Sequence, residues 1–382
     1  MNEGAAVRVS LIGFGAISAP DRASQLNGIE VDAIHADLTA TVGADLSRAK
    51  ALLENTGVSF IGTQKGGSFD IEGATAREWL QIPNPHGTPN SAVVRPWCNG
   101  SDLVRRPSGK WIIDFGCDMS KEDASLFETP FQHAQTNVLP ARIGVKRDNH
   151  RLYWWLHAED RPGMRKALNG LRRYVATARV AKHRLFVWIA GGVLPDCQVV
   201  VVAREDDTTF GVLHSRLHEL WALRLGTSLE DRPRYTPTTT FETFPFPAGM
   251  TPADTAAGAP TGLQAEAIAA AARRLNDLRE NWLNPAEWID RVPEVVPCFP
   301  DRIIPKPGHE AELKKRTLTN LYNLRPTWLD SAHKALDAAV AAAYGWTDYT
   351  PEMPDDEILR RLLALNLERA REAAAVPIAN VE

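Results

Sequence analysis

A proline- and phenylalanine-rich segment followed by a stretch of small residues divides this chain of 382 residues. The segment YTPTTTFETFPFP spans residues 235–247, and its prolines fix φ and lack a backbone donor, so the part from Phe244 onward cannot extend a central strand. The stretch that follows is low in large apolar side chains and cannot build a core. We therefore expect an ordered region that closes near residue 247, a linker over 248–262, and a separate domain over 263–382.

Hydrophobic periodicity predicts both strands and helices. Short apolar runs indicate strands at VRVSLIGFG from Val7, WIIDFG (111–116), RLYWWLH (151–157), LFVWIA (185–190) and QVVVVA (198–203). Apolar residues at three- and four-residue steps predict amphipathic helices over 163–184 and 210–226. Further helical patterns cover 46–55, 264–283, 310–324, 328–344 and 355–374. The mixture predicts an α+β multidomain protein whose last domain is helical.

The charge is unevenly distributed along the chain. The formal net charge is −4, yet residues 142–184 hold twelve Lys or Arg against three acids, a local excess of +9. A one-signed basic block is what phosphate binding requires, even in an acidic protein. In the helix predicted over 163–184, five cations would form one broad basic face: Arg165, Lys166, Arg172, Arg173 and Arg179.

Two glycine- or proline-containing motifs resemble parts of active sites but lack essential residues. GFGAIS at 13–18 follows a strand, but a dinucleotide-binding turn needs a third small Gly or Ala and a full helix, and Pro20 and Gly28 leave no room for one. Asn84-Pro85-His86-Gly87 has His and Gly where an amino-methyltransferase motif has proline and an aromatic residue, so a turn is the better interpretation. We expect no catalytic residue at either place.

Two other motifs are equally incomplete. Asp301, Glu312 and Lys314 have the spacing of a nuclease site, but the last two lie in a sequence typical of a solvated helix. His214 and His218 are one helical turn apart and could bind a metal, but no third ligand has suitable spacing. Neither a nuclease nor a metal site is expected.

The cysteines and the hydropathy define the expected compartment. Cys98, Cys117, Cys197 and Cys298 are far apart and form no paired metal-ligand spacing. No apolar run is long enough to span a bilayer, and the N-terminal sequence is not a signal peptide. We expect a cytoplasmic, reduced protein without zinc and without a membrane partner.

Several long phrases of the sequence together resemble one protein family. These are AAVRVSLIGFG, PNPHGTPNSAVVRP, WIIDFG, FGVLHSRLHELW and RYTPTTTFETFPFP. They resemble the C-terminal portion of MmeI-like DNA methyltransferases, which are type IIL restriction–modification enzymes related to the adenine methylases of phage-defence systems. The resemblance runs over nearly the whole chain and is more specific than any short motif.

The resemblance implies an organisation and an activity. Residues 1–75 would be the α/β remnant of a methyltransferase domain, 76–247 an α+β target recognition domain, and 263–382 a helical C-terminal domain. The complete enzyme would methylate adenine at N6 with S-adenosylmethionine, but the family's cofactor loop and catalytic motif would lie upstream of Met1. This chain would then have no cofactor of its own. It would be a truncated gene product, a fragment, or a separately encoded half that works with an upstream-encoded catalytic half.

The expected partner is therefore double-stranded DNA, which the chain would recognise by sequence. The basic face would contact phosphates, which position a protein without reading sequence. Base readout would fall at the edges of the two strands over 185–203, from Lys182, His183, Arg184 and Asp196.

Two other function classes stay open. One is a protein-interaction module whose basic face binds an acidic partner. The other is a free-standing oxidoreductase, which would require nicotinamide binding at the glycines of residues 13–15.

Overall fold

The computed structural model of the chain describes residues 13, 24–31, 34, 45–229, 232–297 and 299–375. The strand predicted from Val7 and most of the GFGAIS motif lie outside the described residues, as does Cys298. In chain order the strands are β1 Ser24–Leu26, β2 Ile29–Val31, β3 Ser59–Ile61, β4 Asp70–Ile71, β5 Val94–Cys98, β6 Trp111–Ile113, β7 Arg173–Ala178, β8 Val187–Ala190, β9 Leu194–Pro195, β10 Val199–Val202, β11 Ser228–Leu229, β12 Arg232–Pro233, β13 Ile289–Val292 and β14 Arg302–Pro305.

The helices lie between and after these strands. In chain order they are α1 Gly73–Gln81, α2 Gly100–Val104, α3 Lys121–Ser125, α4 Glu128–Asn137, α5 Leu139–Ile143, α6 Asp148–Leu152, α7 Pro162–Leu168, α8 Asp207–His214, α9 Arg216–Leu225, α10 Leu263–Leu283, α11 Glu310–Lys315, α12 Leu318–Leu324, α13 Thr327–Ala343 and α14 Asp355–Ala375. No helix of the described part is long and apolar enough to cross a membrane.

The first sheet is antiparallel, with the strand order β3-β10-β7-β8. Its central strand β10 consists of four buried valines. Because side chains alternate along a strand, Val200 and Val202 join one hydrophobic core while Val199 and Val201 join another. The sheet is therefore covered on both faces, which explains the continuous apolar run in its sequence.

A second sheet has the order β4-β6-β5-β9, and its β5–β9 pair is parallel. Its strands, α1, α3 and α4 enclose a separate core that contains Trp111, Phe115 and Phe131. The tryptophans of RLYWWLH, Trp154 and Trp155, complete this core from the turn after α6. Residues from about 69 to 156 thus pack as one unit beside the first sheet.

The helices of the C-terminal region pack directly on the first sheet's unit. α10 contacts both α8 and α13, and a Cβ at Gly211 of α8 would lie 2.6 Å from Ile268 of α10. Only glycine permits that approach. One core therefore runs from β10 through α8 and α9 to Leu362 in α14.

The segment 235–247 closes this core. Phe241, Phe244 and Phe246 are fully buried in it, and the indole nitrogen of Trp221 in α9 donates to Thr243 Oγ1 at 3.0 Å. The buried Asn55 side chain donates to three backbone carbonyls of the segment. The phenylalanines are thus structural anchors, as their spacing by prolines predicts.

The helix predicted over 163–184 is wrong. α7 ends at Leu168, Gly170 turns the chain with a φ of +84°, and β7 begins at Arg173. Tyr174 and Ala176 face one core while Val175 faces the other. A strand buried on both faces has no polar alternation, so its apolar residues matched a helical spacing by chance.

The strand predicted at RLYWWLH is also wrong, since its first half belongs to α6 and its second half is a turn. A strand would send Trp154 and Trp155 to opposite faces, whereas the turn places both in the second core, where the Trp155 indole donates to Met119 O at 2.9 Å. Three other predicted helices are interrupted. Ser215 separates α8 from α9 and caps α9; Thr317 separates α11 from α12 and caps α12; residues 46–55 form two short 3-10 turns.

The predicted domain bounds stay a prediction. Within the predicted linker 248–262, Met250 is buried in the largest core. The amide and hydroxyl of Thr251 donate hydrogen bonds to the Asp254 carboxylate, and the Asp254 amide donates one to the Thr251 hydroxyl. The part of this segment near Met250 is therefore packed against the sheet's unit.

Candidate nucleic-acid interface

One end of the first sheet brings several chain segments together. At this end β3 and β7 finish, while β10 and β8 begin. The Gly62 amide donates to Val199 O at 3.0 Å, and the Arg179 amide donates to Gln198 O at 2.7 Å. Adjacent strands are about 4.8 Å apart, so the four strand ends form an edge on the order of 14 Å long.

Three arginines lie at this end of the sheet, and we call them the sheet-end arginines: Arg161, Arg179 and Arg234. Arg161 donates from Nε to Gly62 O at 3.3 Å. Arg234 pairs with Val180 in an isolated β-bridge, one residue beyond Arg179. Burial, and then the positive charges of Arg234 and Arg161, lower the pKa of Arg179. Arg179 is therefore close enough to both Arg161 and Arg234 to be repelled by each.

Few carboxylates of the described residues lie near these arginines to neutralise their positive charge. Within the described residues, Arg179 and Arg234 have no carboxylate within salt-bridge distance. Arg161 has one, Glu159, whose Oε2 is 3.7 Å from Nη1. The other oxygen of Glu159 is 3.7 Å from Nη1 of the exposed Arg147. One carboxylate therefore lies near two arginines, and the positively charged surface continues from the sheet end to α6.

Arg161 is also held in an unusual backbone conformation. Its φ of 59° and ψ of 60° are left-handed, which costs on the order of 1–3 kcal/mol for a residue with a side chain. Pro162 follows it as the first residue of α7. Strain of this kind is common where a side chain has to be aimed at a binding surface.

The loop between β7 and β8 carries three predicted base-reading residues, of which Arg184 is internal. Arg184 is 5% exposed, and its guanidinium donates to Thr177 Oγ1 at 2.9 Å, Ala178 O at 2.6 Å and Pro233 O at 2.8 Å. Burial lowers its pKa to about 10. Its donors bind β7 and β12, so Arg184 supports the base of the loop from inside.

Lys182 and His183 lie at the outer tip of the same loop. Lys182 Nζ donates to Asn323 Oδ1 at 2.7 Å, and His183 Nε2 lies 2.9 Å from the same oxygen. Asn323 belongs to α12. These two predicted residues are thus at the surface, next to the sheet-end arginines, and α12 touches them.

Asp196, the fourth predicted base-reading residue, is nearly buried. Its Oδ1 accepts from the Gln198 amide at 2.8 Å, and burial raises its pKa. A Cβ at Gly62 would lie 2.3 Å from the Asp196 carbonyl oxygen, so the two backbones are in close contact. The carboxylate shapes the turn at the sheet end.

The predicted basic face of five cations does not form, because α7 ends before Arg172. Arg165 makes a bidentate pair with the buried Asp114, at 2.8 Å for both contacts. Arg173 stacks on the Trp188 ring at 3.8 Å and pairs with Asp207 at 2.9 Å. Arg172 and Lys166 are exposed at separate places. Of the five, only Arg179 belongs to the sheet end.

Sequence reasoning missed Arg161 and Arg234. Arg161 belongs to the basic block but has no predicted role, and Arg234 enters only as the first residue of the phrase RYTPTTTFETFPFP. Their proximity depends on the bridges between residues 180 and 234 and between residues 64 and 159. A correct strand assignment for 173–178 would have indicated that Arg179 lies at a strand end.

The other candidate chemical groups are structural. His214 Nε2 lies 2.8 Å from Arg279 Nη1 in the core, and burial lowers the pKa of His214. His218 contacts the Tyr235 hydroxyl at 3.1 Å, and burial lowers its pKa to about 3. No group of three metal-binding side chains occurs in the part of the chain that the structure describes. Glu312 pairs with Lys315 on the surface of α11.

Comparisons with known proteins agree with the sequence resemblance. Residues 184–248 match the family described as MmeI, target recognition domain. The fold is similar to that of the type IIL restriction-modification enzyme MmeI in a complex with DNA, with a TM-score of 0.62 and 18% sequence identity. This similarity covers 90% of the chain and 39% of the MmeI chain, so the chain spans about two fifths of that relative. No curated protein matches the chain. The resemblance to MmeI-like enzymes and the α+β multidomain fold are thus confirmed.

Proposed function

We propose that this chain is the sequence-specific, double-stranded DNA recognition portion of a site-specific DNA methyltransferase of a restriction–modification or phage-defence system. The match of residues 184–248 to the MmeI target recognition family supports this function, as does the similarity to a structure that contains DNA. The matched residues include Arg184, Asp196 and Arg234 and begin directly after Lys182 and His183.

The observation that carries the proposal is the cluster of sheet-end arginines. Among the described residues Arg179 and Arg234 have no carboxylate within salt-bridge distance and Arg161 shares one acid with Arg147. Cations with so few acidic partners destabilise the free protein when they lie close together, and a phosphate group relieves that repulsion. Arginine is suited to this role because its planar guanidinium binds a phosphate through two parallel hydrogen bonds. The sheet-end arginines would hold the DNA backbone, and the adjacent tip of the β7–β8 loop would reach the bases.

The complete enzyme supplies the chemistry in this proposal. The resemblance to MmeI-like methyltransferases supports transfer of a methyl group from S-adenosylmethionine to N6 of adenine. An upstream-encoded catalytic portion would bind the cofactor, and the chain described here would select the site. Such a reaction takes place on genomic DNA, which fits a cytoplasmic protein.

The salt dependence of duplex binding tests this function. Log affinity falls with log salt concentration by about 0.9 for each phosphate contact, so an Arg179→Ala/Arg234→Ala variant should have a slope smaller by about 1.8. The measurement is fluorescence anisotropy of a labelled duplex at several salt concentrations. An Arg371→Ala variant, which removes an exposed arginine from α14, is the matched control and should leave the slope unchanged.

An unchanged slope in the double variant, with intact folding, would show that the sheet end does not contact DNA. Competition distinguishes DNA from an acidic protein partner. If a protein is the partner, heparin or polyglutamate should displace the duplex as readily as an unlabelled duplex does at equal charge. If duplex DNA is the ligand, the unlabelled duplex should be the much stronger competitor.

A further inference from the structure

The tip of the β7–β8 loop is oriented by a helix that is distant in sequence. Lys182 and His183 contact Asn323, which lies 141 and 140 residues further along the chain. Arg184 holds the base of the loop from inside. The exposed end therefore depends on α12, outside the residues that match the target recognition family.

The two contacts share one acceptor atom, and this fixes the chemistry that the tip presents. An amide oxygen has two lone pairs, and Asn323 Oδ1 uses both, one for the Lys182 ammonium and one for His183 Nε2–H. The tautomer of His183 that donates from Nε2 has an acceptor at Nδ1. The Lys182 ammonium keeps two unused donors. The tip thus offers two donors beside one acceptor.

The helix that holds the tip is itself firmly anchored. Tyr322, next to Asn323, is buried, and its hydroxyl lies 2.8 Å from His333 Nε2 of α13. Arg279 of α10 donates to Phe186 O at 3.0 Å, at the start of β8. The C-terminal helices therefore hold the loop at its tip and at its end, so the position of Lys182 and His183 is set by the packing of α10, α12 and α13.

We propose that α12 determines specificity, with Asn323 as a positioning residue that aims Lys182 and His183 at a G·C pair in the major groove. This inference rests on the proposed DNA recognition. A guanine presents two acceptors, O6 and N7, and its cytosine presents one donor, N4–H. Two donors from Lys182 and one acceptor from His183 Nδ1 match that order. An A·T pair presents acceptor, donor and acceptor, which the tip does not match.

The test is selection of duplexes from a randomised library by the whole chain, followed by sequencing of the bound DNA. Wild type should enrich a motif that contains a G·C pair. Asn323→Leu, which removes the acceptor at an exposed position, should lower the preference for that pair about tenfold and leave the other positions and the salt slope unchanged. Asn323→Asp keeps an acceptor and should retain the preference.

The matched control is Asn320→Leu, the same substitution one turn earlier in α12. Asn320 donates to Lys315 O within the same region and does not touch the loop, so this variant should keep the wild-type motif. If Asn323→Leu fails to fold, as judged by circular dichroism, Asn323→Ala carries the same expectation.

The outcomes separate the two proposals. A wild-type motif from a folded Asn323→Leu or Asn323→Ala variant overturns the role of α12 and leaves DNA recognition standing. Loss of preference at an A·T pair overturns the assignment to G·C. Failure of the wild-type chain to bind any duplex overturns the proposed function, and the inference with it.

Discussion

Replacement of Arg165 by alanine should destabilise the fold instead of weakening DNA binding. Both terminal nitrogens of Arg165 lie 2.8 Å from oxygens of Asp114, whose side chain is 3% exposed. Removal of one member of a buried ion pair costs about 3–5 kcal/mol, because the remaining charge stays buried without its partner. Arg95 lies 3.5 Å from the same carboxylate and offsets part of the loss. We therefore expect a decrease of about 3 kcal/mol in the free energy of unfolding.

The pH dependence of the free energy of unfolding gives a second test of this ion pair. Burial alone would raise the pKa of Asp114, but the charges of Arg165, His157 and Arg95 outweigh it and hold the pKa well below its usual range. A carboxyl group with a depressed pKa contributes stability that is present above its unfolded pKa of about 4 and is lost as the pH falls through its folded value. The difference between wild type and the Arg165→Ala variant should thus be full at pH 7 and shrink below about pH 4.

Urea denaturation at several pH values measures both effects, and Lys166→Ala is the matched control. Lys166 is the neighbouring exposed cation, and its removal should change the free energy of unfolding by less than about 0.5 kcal/mol. A loss of less than about 1 kcal/mol in Arg165→Ala would contradict a structural role for this ion pair. A normally folded variant whose DNA salt slope falls by about 0.9, the value of one phosphate contact, would contradict it as well.

Three further predictions concern buried polar side chains. Asn366→Ala should lower the free energy of unfolding by about 3 kcal/mol, because the fully buried amide bonds three backbone groups of two other segments; a loss below about 1 kcal/mol in urea denaturation would contradict this. Burial raises the pKa of Asp337 to about 7, so its contribution to stability is full below about pH 4 and declines as the pH rises through 7. Asp337→Asn, which stays neutral, should therefore exceed wild type in stability at pH 8 by on the order of 3 kcal/mol, and a thermal melt that shows no gain at pH 8 would disprove it. Arg184→Ala should lower the free energy of unfolding by about 2 kcal/mol by removing donors from two backbone carbonyls; a loss below about 0.5 kcal/mol in urea denaturation would contradict this.

The sequence predicts those parts of the fold where the hydrophobic periodicity or the prolines allow only one kind of secondary structure. The long C-terminal helices and the strands at 187–190 and 199–202 lie where periodicity indicates. The closing segment also behaves as its prolines require, with Phe244 and Phe246 buried. In each of these places local sequence and tertiary packing favour the same structure.

The candidate site was only partly predictable, because composition does not show whether a cation already has a partner. Charge counting shows where the basic block lies in the sequence, but Arg165 is paired with an acid 51 residues earlier in the chain, and Arg184 binds backbone oxygens of β7 and β12. Arg234 reaches Arg179 through a bridge between distant segments. Such partnerships depend on tertiary contacts, which no local pattern reveals.

Chemical footprinting of arginines tests whether the sheet-end arginines contact DNA. Phenylglyoxal reacts with accessible guanidinium groups, and mass spectrometry gives the rate of modification at each arginine with and without a duplex that the chain binds. If these arginines hold the DNA backbone, the duplex should protect Arg161, Arg179 and Arg234 and leave the rate at Arg371 unchanged. Equal rates at the sheet-end arginines in the presence and absence of bound duplex would contradict it.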